Sequence, residues 1–167
     1  KLAFNPDTVE AFLAVLPHSF AEAQALMARF TLGSESSATL AAPQPTTSDA
    51  SGSRSPDRRI RHALEVRNAS FLRPEFLALL SKYNVAAVRT NSPGWPVFEQ
   101  LTSDFVYARL HGNVDRYPNG YGDAELDEWA DYVRAGLRGE GETGRDVFVY
   151  FDNPDNMGIR SPLDARK

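Results

Sequence analysis

Apolar and polar residues alternate most cleanly over Phe105-Val106-Tyr107-Ala108-Arg109-Leu110-His111, with Gly112 behind them. Side chains alternate across a strand, so this spacing predicts a strand over 104–111 with two unlike faces. Val106, Ala108 and Leu110 form an aliphatic face, and Tyr107, Arg109 and His111 form the other. Burying an arginine is costly unless it is paired, so the second face is expected to border a wet cavity. The alternation recurs over 62–67, where Ala63, Glu65 and Arg67 oppose Leu64 and Val66. It recurs again over 146–152, where Phe148, Tyr150 and Asp152 oppose Val147, Val149 and Phe151. A fourth strand is expected at 85–90.

Residues at helical spacing separate these strands. Pro6-Asp7 opens a helix carrying Val9, Phe12, Leu13 and Leu16, interrupted at Pro17. A second helix over 19–30 places Phe20, Ala23, Leu26, Met27 and Phe30 on one side. Pro74 and Glu75 open a helix over 74–82, and Asp123 caps another that carries Leu126, Trp129, Ala130, Val133 and Leu137. Strand, helix, strand, strand, helix, strand predicts an α/β fold with a parallel sheet of about four strands. The join over 91–103 is too short for a full crossover helix. In a parallel sheet the strand C-termini meet at one edge, where α/β folds bind ligands. Glu65, Arg67, Arg109, His111 and Asp152, with Asn68 and Asn153 just past their strands, would then converge at one mouth, inside a barrel or in a cleft.

The pattern fails over 31–59, which is rich in Ser, Thr, Ala and Pro and ends in Arg58-Arg59. Such a segment buries too little apolar area to offset its ordering entropy, so it is expected to be a disordered insertion. The chain thus divides into a helical segment at 1–30, the insertion at 31–59, and strands and helices at 60–167. It starts at Lys1 within what reads as the middle of a chain, and Ser161-Pro162 resembles the start of another helix. The sequence is therefore expected to be an excerpt.

Composition narrows the chemistry. A chain of 167 residues, 42% hydrophobic, can fill one sizeable core. A net charge of −4 offers no electrostatic footprint for nucleic acid or an anionic membrane. No apolar run approaches the roughly 20 residues that span a bilayer. With no cysteine there is no disulfide and no thiolate chemistry, which fits a cytoplasmic protein. Two arginines beside a histidine suit a small anion such as phosphate or carboxylate, because guanidinium groups bind such oxygens bidentately. His111 with Glu65 and Asp152 also forms an N/O set suited to a divalent metal, but neighbouring arginines oppose a cation. No metal or cofactor is therefore expected. P-loop, dinucleotide-binding, nucleophile-elbow and HExxH motifs do not occur. Structural readings stand beside the functional ones. Glu65 with either arginine could be an ion pair filling a barrel interior. Asp152-Asn153-Pro154 suits a plain turn, Trp95 in its Pro-Gly-Trp-Pro turn suits a loop plug, and the Asn68-Ala69-Ser70 sequon lies at a strand end inside the fold.

The runs ALEVRNASF (63–71), SPGWPVFE (92–99), DFVYARLHG (104–112), LDEWA (126–130) and DVFVYFDN (146–153), with Tyr117 and Tyr121, resemble the YecE-like family of uncharacterised proteins. The resemblance implies a (β/α)8, TIM-type barrel with no established activity. About 250 residues make such a barrel, so the chain would hold its C-terminal half and partner a missing N-terminal half. Asn68 stands where the family usually has histidine, Phe71 where tryptophan is common, and Asn91 where aspartate is usual. The expected site then comprises Glu65 and His111 as acid and base, with Arg67, Asn91, Tyr107, Arg109, Asp152 and Asn153 binding a small anionic substrate. Two alternatives remain open: a binding or regulatory barrel without turnover, and a degenerate gene fragment.

Overall fold

The computed structural model describes residues 2–32, 58–111, 121–138 and 144–151. Two compact units make up the chain, one comprising 1–14 with 62–167 and the other 15–61.

In the smaller unit, helix α2 (Phe20–Leu32) follows α1 (Pro6–Ala14) in the chain. Its start is a reciprocal cap. The Ser19 hydroxyl accepts from the Glu22 N–H at 3.2 Å, and the Glu22 carboxylate accepts from the His18 N–H at 2.7 Å. Ser19 also forms an antiparallel bridge with Arg59. The Phe20 N–H donates to the Arg58 carbonyl, and the Ile60 N–H donates to the His18 carbonyl. The last two residues of the expected insertion are thus paired through their backbones, which needs no apolar side chain. Most of the rest of that insertion lies outside the described residues.

The larger unit carries the sheet. Its elements are α1, β1 (His62–Leu64), a 3-10 turn (Ala69–Phe71), α3 (Pro74–Lys82), β2 (Val85–Ala87), β3 (Arg89–Thr90), β4 (Phe105–Leu110), α4 (Asp123–Leu137) and β5 (Asp146–Phe151). All pairings among these strands are parallel: β1 with β2, β3 with β4, and β4 with β5. This is the α/β arrangement expected from the pattern. No closed barrel occurs among the described residues.

The expected strand at 85–90 is divided at Val88, and the reason is geometric. Its first half bonds β1, ending with the Val88 N–H donating to the Leu64 carbonyl at 3.1 Å. Its second half bonds β4, in a ladder that begins only at Arg89 opposite Ala108 and leaves 85–87 without β4 hydrogen bonds. The buried Thr102 hydroxyl fills that gap, donating to the Val85 carbonyl at 2.7 Å and accepting from the Ala87 N–H at 2.8 Å. Once 85–90 turns to β4, the chain after Leu64 has no ladder, so β1 is shorter than the expected 62–67.

Helix ends obey local chemistry. The Asn5 side chain accepts from the Thr8 N–H at 2.9 Å, and Pro6 begins α1. After α3, Asn84 adopts φ 51°, a left-handed conformation that asparagine tolerates, and exchanges two hydrogen bonds with Asp104. Val9 and Leu13 of α1, and Phe76 and Leu80 of α3, are buried at a spacing of four. Phe76 lies within 5.0–5.8 Å of the rings of Phe4, Phe71 and Phe98. Across β4 and β5, Ala108, Leu110, Val149 and Phe151 pack with Tyr121, Leu126, Trp129 and Tyr132. Among the described residues no helix is long and apolar enough to cross a membrane.

Two predictions follow from this packing. A Cβ at Gly136 of α4 would lie 3.0 Å from Val106 Cγ2 and 3.3 Å from Val147 Cγ2. Gly136→Val is therefore expected to destabilise the chain by about 1–3 kcal/mol through overpacking, measured by urea unfolding. The second concerns Lys82, whose ammonium meets Glu10 Oε1 at 2.5 Å. Hydrogen bonding and charge from Lys82 hold the Glu10 carboxyl below its usual range, and Glu10 holds Lys82 above its own. A depressed carboxyl contributes stability above its unfolded pKa and loses it as pH falls through the folded value. A raised lysine contributes below its unfolded pKa and loses it as pH rises through the folded value. Glu10→Gln should thus lower Tm at neutral pH, with the difference vanishing in strong acid and in strong alkali. A pH-independent difference would show that the pair does not titrate as a unit.

Candidate functional site

Parallel pairing brings the C-terminal ends of the strands to one edge, and polar residues gather there. Glu65 directly follows β1, Asn91 follows β3, Arg109 lies near the end of β4, and His111 follows that strand. Residues paired across neighbouring parallel strands share a face, so Thr90, Arg109 and Tyr150 lie together, as do Tyr107 and Phe148. Helix α4 covers the other face, where Val106 and Val147 approach Gly136.

Glu65 is the common acceptor of the cluster. Its Oε2 accepts from Arg109 Nη1 at 2.8 Å, and its Oε1 accepts from Arg67 Nη2 at 3.4 Å. His111 Nε2 lies 3.7 Å from the same Oε2. The Glu65 and His111 side chains are largely buried, at 12% and 18% exposure, whereas Arg67 is open at 56%. The Arg109 contact crosses the intervening 85–90 strand, which a curved sheet with both side chains on one face allows.

The turn after β3 supplies an aromatic wall. The Trp95 N–H donates to the Ser92 carbonyl at 3.2 Å, and Gly94 adopts φ 75°. A type II turn requires positive φ at its third position, which glycine supplies, and favours proline at its second. That turn sets the Trp95 ring 4.2 Å from the Arg67 guanidinium carbon and 5.1 Å from the His111 ring. Trp95 thus touches two residues of the cluster. Its spacing from them in sequence carries no signal of this contact.

The two asparagines are engaged in structure. Asn68 Oδ1 accepts from the Ser70 N–H at 3.0 Å and caps the 3-10 turn. Asn91 Oδ1 accepts from the His111 N–H at 2.8 Å, while its Nδ2 donates to the Tyr121 hydroxyl at 3.3 Å. A carboxamide can donate and accept at once, so Asn91 joins the ends of β3 and β4 to Tyr121. Tyr121 is buried, and alternation alone could not have placed it there. Tyr107 stacks on Tyr150, with ring centroids 5.2 Å apart. Burial pushes its phenol above the ordinary tyrosine range; nearby Tyr150 and Glu65 add to the shift and Arg109 opposes it. Tyr107 therefore keeps its hydroxyl proton at neutral pH. Asp152 and Asn153 lie outside the described residues. Among the described residues no group of three or more His, Asp or Glu side chains could hold a metal ion.

A family profile described as "Protein of unknown function DUF72" matches residues 2–167. Among solved structures, the chain is similar to a DUF72 family protein from Thermotoga maritima MSB8, at 23% sequence identity and a TM-score of 0.51. The match covers 64% of this chain and 44% of that one, so the chain spans less than half the length of that structure. At this identity the likeness is one of fold. Comparison with curated proteins gave no match.

Removing the Glu65 carboxylate takes the common acceptor from two guanidiniums. Glu65→Ala is expected to lower unfolding stability by about 1–3 kcal/mol, the usual loss when a charged partner is left uncompensated. Adding Arg109→Leu should restore part of that loss. Purely additive losses in this double-mutant cycle would show that the two side chains do not interact.

Proposed function

Because the chain belongs to the DUF72 family, whose function is unknown, we propose a reading built from the charge cluster: a site for a small anionic molecule at the C-terminal ends of the parallel strands. The observation that carries it is the Arg67 guanidinium, held at the strand ends and open to solvent. Glu65 accepts from both Arg67 and Arg109, with His111 beside it. Arg67 makes one long hydrogen bond among the described residues and is more than half exposed, which leaves donors of its fork turned to solvent. A guanidinium stacked on Trp95 is also held in orientation, reducing the entropy lost when an anion binds.

Within this reading Arg67 and Arg109 bind the anion, and Glu65 aligns both of them. His111 is the group that moves a proton, with Glu65 beside it as its carboxylate partner. Tyr107 contributes a neutral hydroxyl on the same face, and Asn91 positions the His111 backbone. Asp152 and Asn153, just beyond β5, extend the binding set. The enclosing architecture is proposed to be a (β/α)8 barrel of the YecE-like kind. It is supported by parallel strands that carry aliphatic side chains under α4 on one face and polar or aromatic ones on the other. A second reading, a binding module without turnover, is favoured by one observation. Asn68 and Asn91, at positions where the family resemblance implies ionisable groups, use their amides in caps and strand-end bonds.

The test is ligand-linked stability. Tm should rise with the logarithm of inorganic phosphate concentration above the dissociation constant. Arg67→Ala should weaken phosphate at least tenfold, equivalent to about 1.4 kcal/mol, while the exposed Arg73→Ala should leave the response intact. A phosphate response that survives Arg67→Ala unchanged would remove this cluster as the anion site.

A further inference from the structure

The face that carries the arginines also carries a run of aromatic rings. Arg109 is paired in register with Tyr150, and Tyr107 with Phe148, so the four side chains occupy adjoining positions on one face of β4 and β5. The Tyr107 ring lies 5.2 Å from Tyr150 with a 24° interplanar angle, and 6.4 Å from Phe148 with a 28° angle. These are near-parallel stacks rather than the tilted contacts of the Phe76 cluster. Tyr107 takes one face of the Tyr150 ring, yet Tyr150 stays 50% exposed. A flat, half-open ring therefore sits in the register position beside Arg109, whose guanidinium donates to Glu65. On the far side of the cluster Trp95 touches both Arg67 and His111.

Resting on the anion-site reading, we infer that the ligand joins its acidic group to a flat ring, an aryl or heteroaryl phosphate or carboxylate. Its acid lies at Arg67 and Arg109 and its ring stacks on Tyr150. Geometry favours this class over a small inorganic or aliphatic anion. Stacking on an aromatic platform needs an exposed ring at a fixed distance from the anchoring charge, and strand register fixes Tyr150 relative to Arg109. Tyr107 prepares the platform by holding Tyr150 parallel to itself, and its neutral hydroxyl adds no negative charge to repel the ligand.

Matched probes on the 167-residue chain separate this inference from the reading beneath it. Inorganic phosphate, methyl phosphate and phenyl phosphate share the anion and differ in the ring. Isothermal titration should show phenyl phosphate binding about tenfold tighter than methyl phosphate. In Tyr150→Leu that ratio should fall to about one, and in Tyr150→Phe, which keeps the ring and the fold, it should persist. Equal binding of the phenyl and methyl esters, with phosphate still bound through Arg67, sinks the ring subsite and spares the anion site. A preference for the phenyl ester that persists in Tyr150→Leu also sinks it, by placing the ring elsewhere. No binding of any of the three overturns both readings together.

Discussion

Parallel pairing along 85–90 is the constraint on which the larger unit depends. Six residues serve two neighbours in succession, β1 over the first half and β4 over the second, with the change at Val88. A strand interior that loses its partner exposes backbone groups that must be satisfied. Thr102 satisfies those of Val85 and Ala87 from the loop that precedes β4. That hydroxyl, with Asp104 bonded to Asn84 and Phe98 packed on Phe76, holds the loop over 91–104 against the sheet. One short central strand also brings β1 and β4 close enough for Arg109 to reach Glu65.

Charge is handled differently on the two faces. On the face covered by α4, Arg89 pairs with Glu99 and lies 4.4 Å from the Tyr132 ring and 5.5 Å from the Trp129 ring. That is one cation, one anion and two aromatic faces, a self-contained arrangement that suits a structural role. On the opposite face Glu65 pairs with both Arg109 and Arg67, and Arg67 remains open to solvent. Exposure to solvent, rather than the mere presence of arginine, separates the two environments: Arg67 is 56% exposed and Arg89 22%. The same comparison explains why Arg89, although at a strand end, belongs to the packing and not to the site.

Much of the polar cluster was legible before any fold was known, because strand periodicity assigns faces without knowledge of neighbours. Tyr107, Arg109 and His111 follow from alternation within one strand, and they do occupy the Glu65 end of the sheet. Alternation alone also put Glu65 and Arg67 on one face, although β1 stops at Leu64. The two side chains meet there because both reach the same cluster, not because a ladder carries them to Arg67. Ser92-Pro93-Gly94 was legible as a turn from its residue types.

Sequence by itself determined the parallel α/β character, the helix starts at Pro6, Pro74 and Asp123, and which residues of each strand face the same way. These depend on local sterics and on periods of 2.0 and 3.6 residues, which a single chain segment contains. Only the tertiary structure decided that Glu65 binds Arg109 across an intervening strand, that Asn91 ties His111 to Tyr121, and that Trp95 lies on Arg67 and His111. It also decided that Arg58 and Arg59 pair with the segment before α2. Each is a contact between residues far apart in sequence, selected by strand register and loop path. Register depends on the whole set of backbone partners, and no local pattern encodes that set.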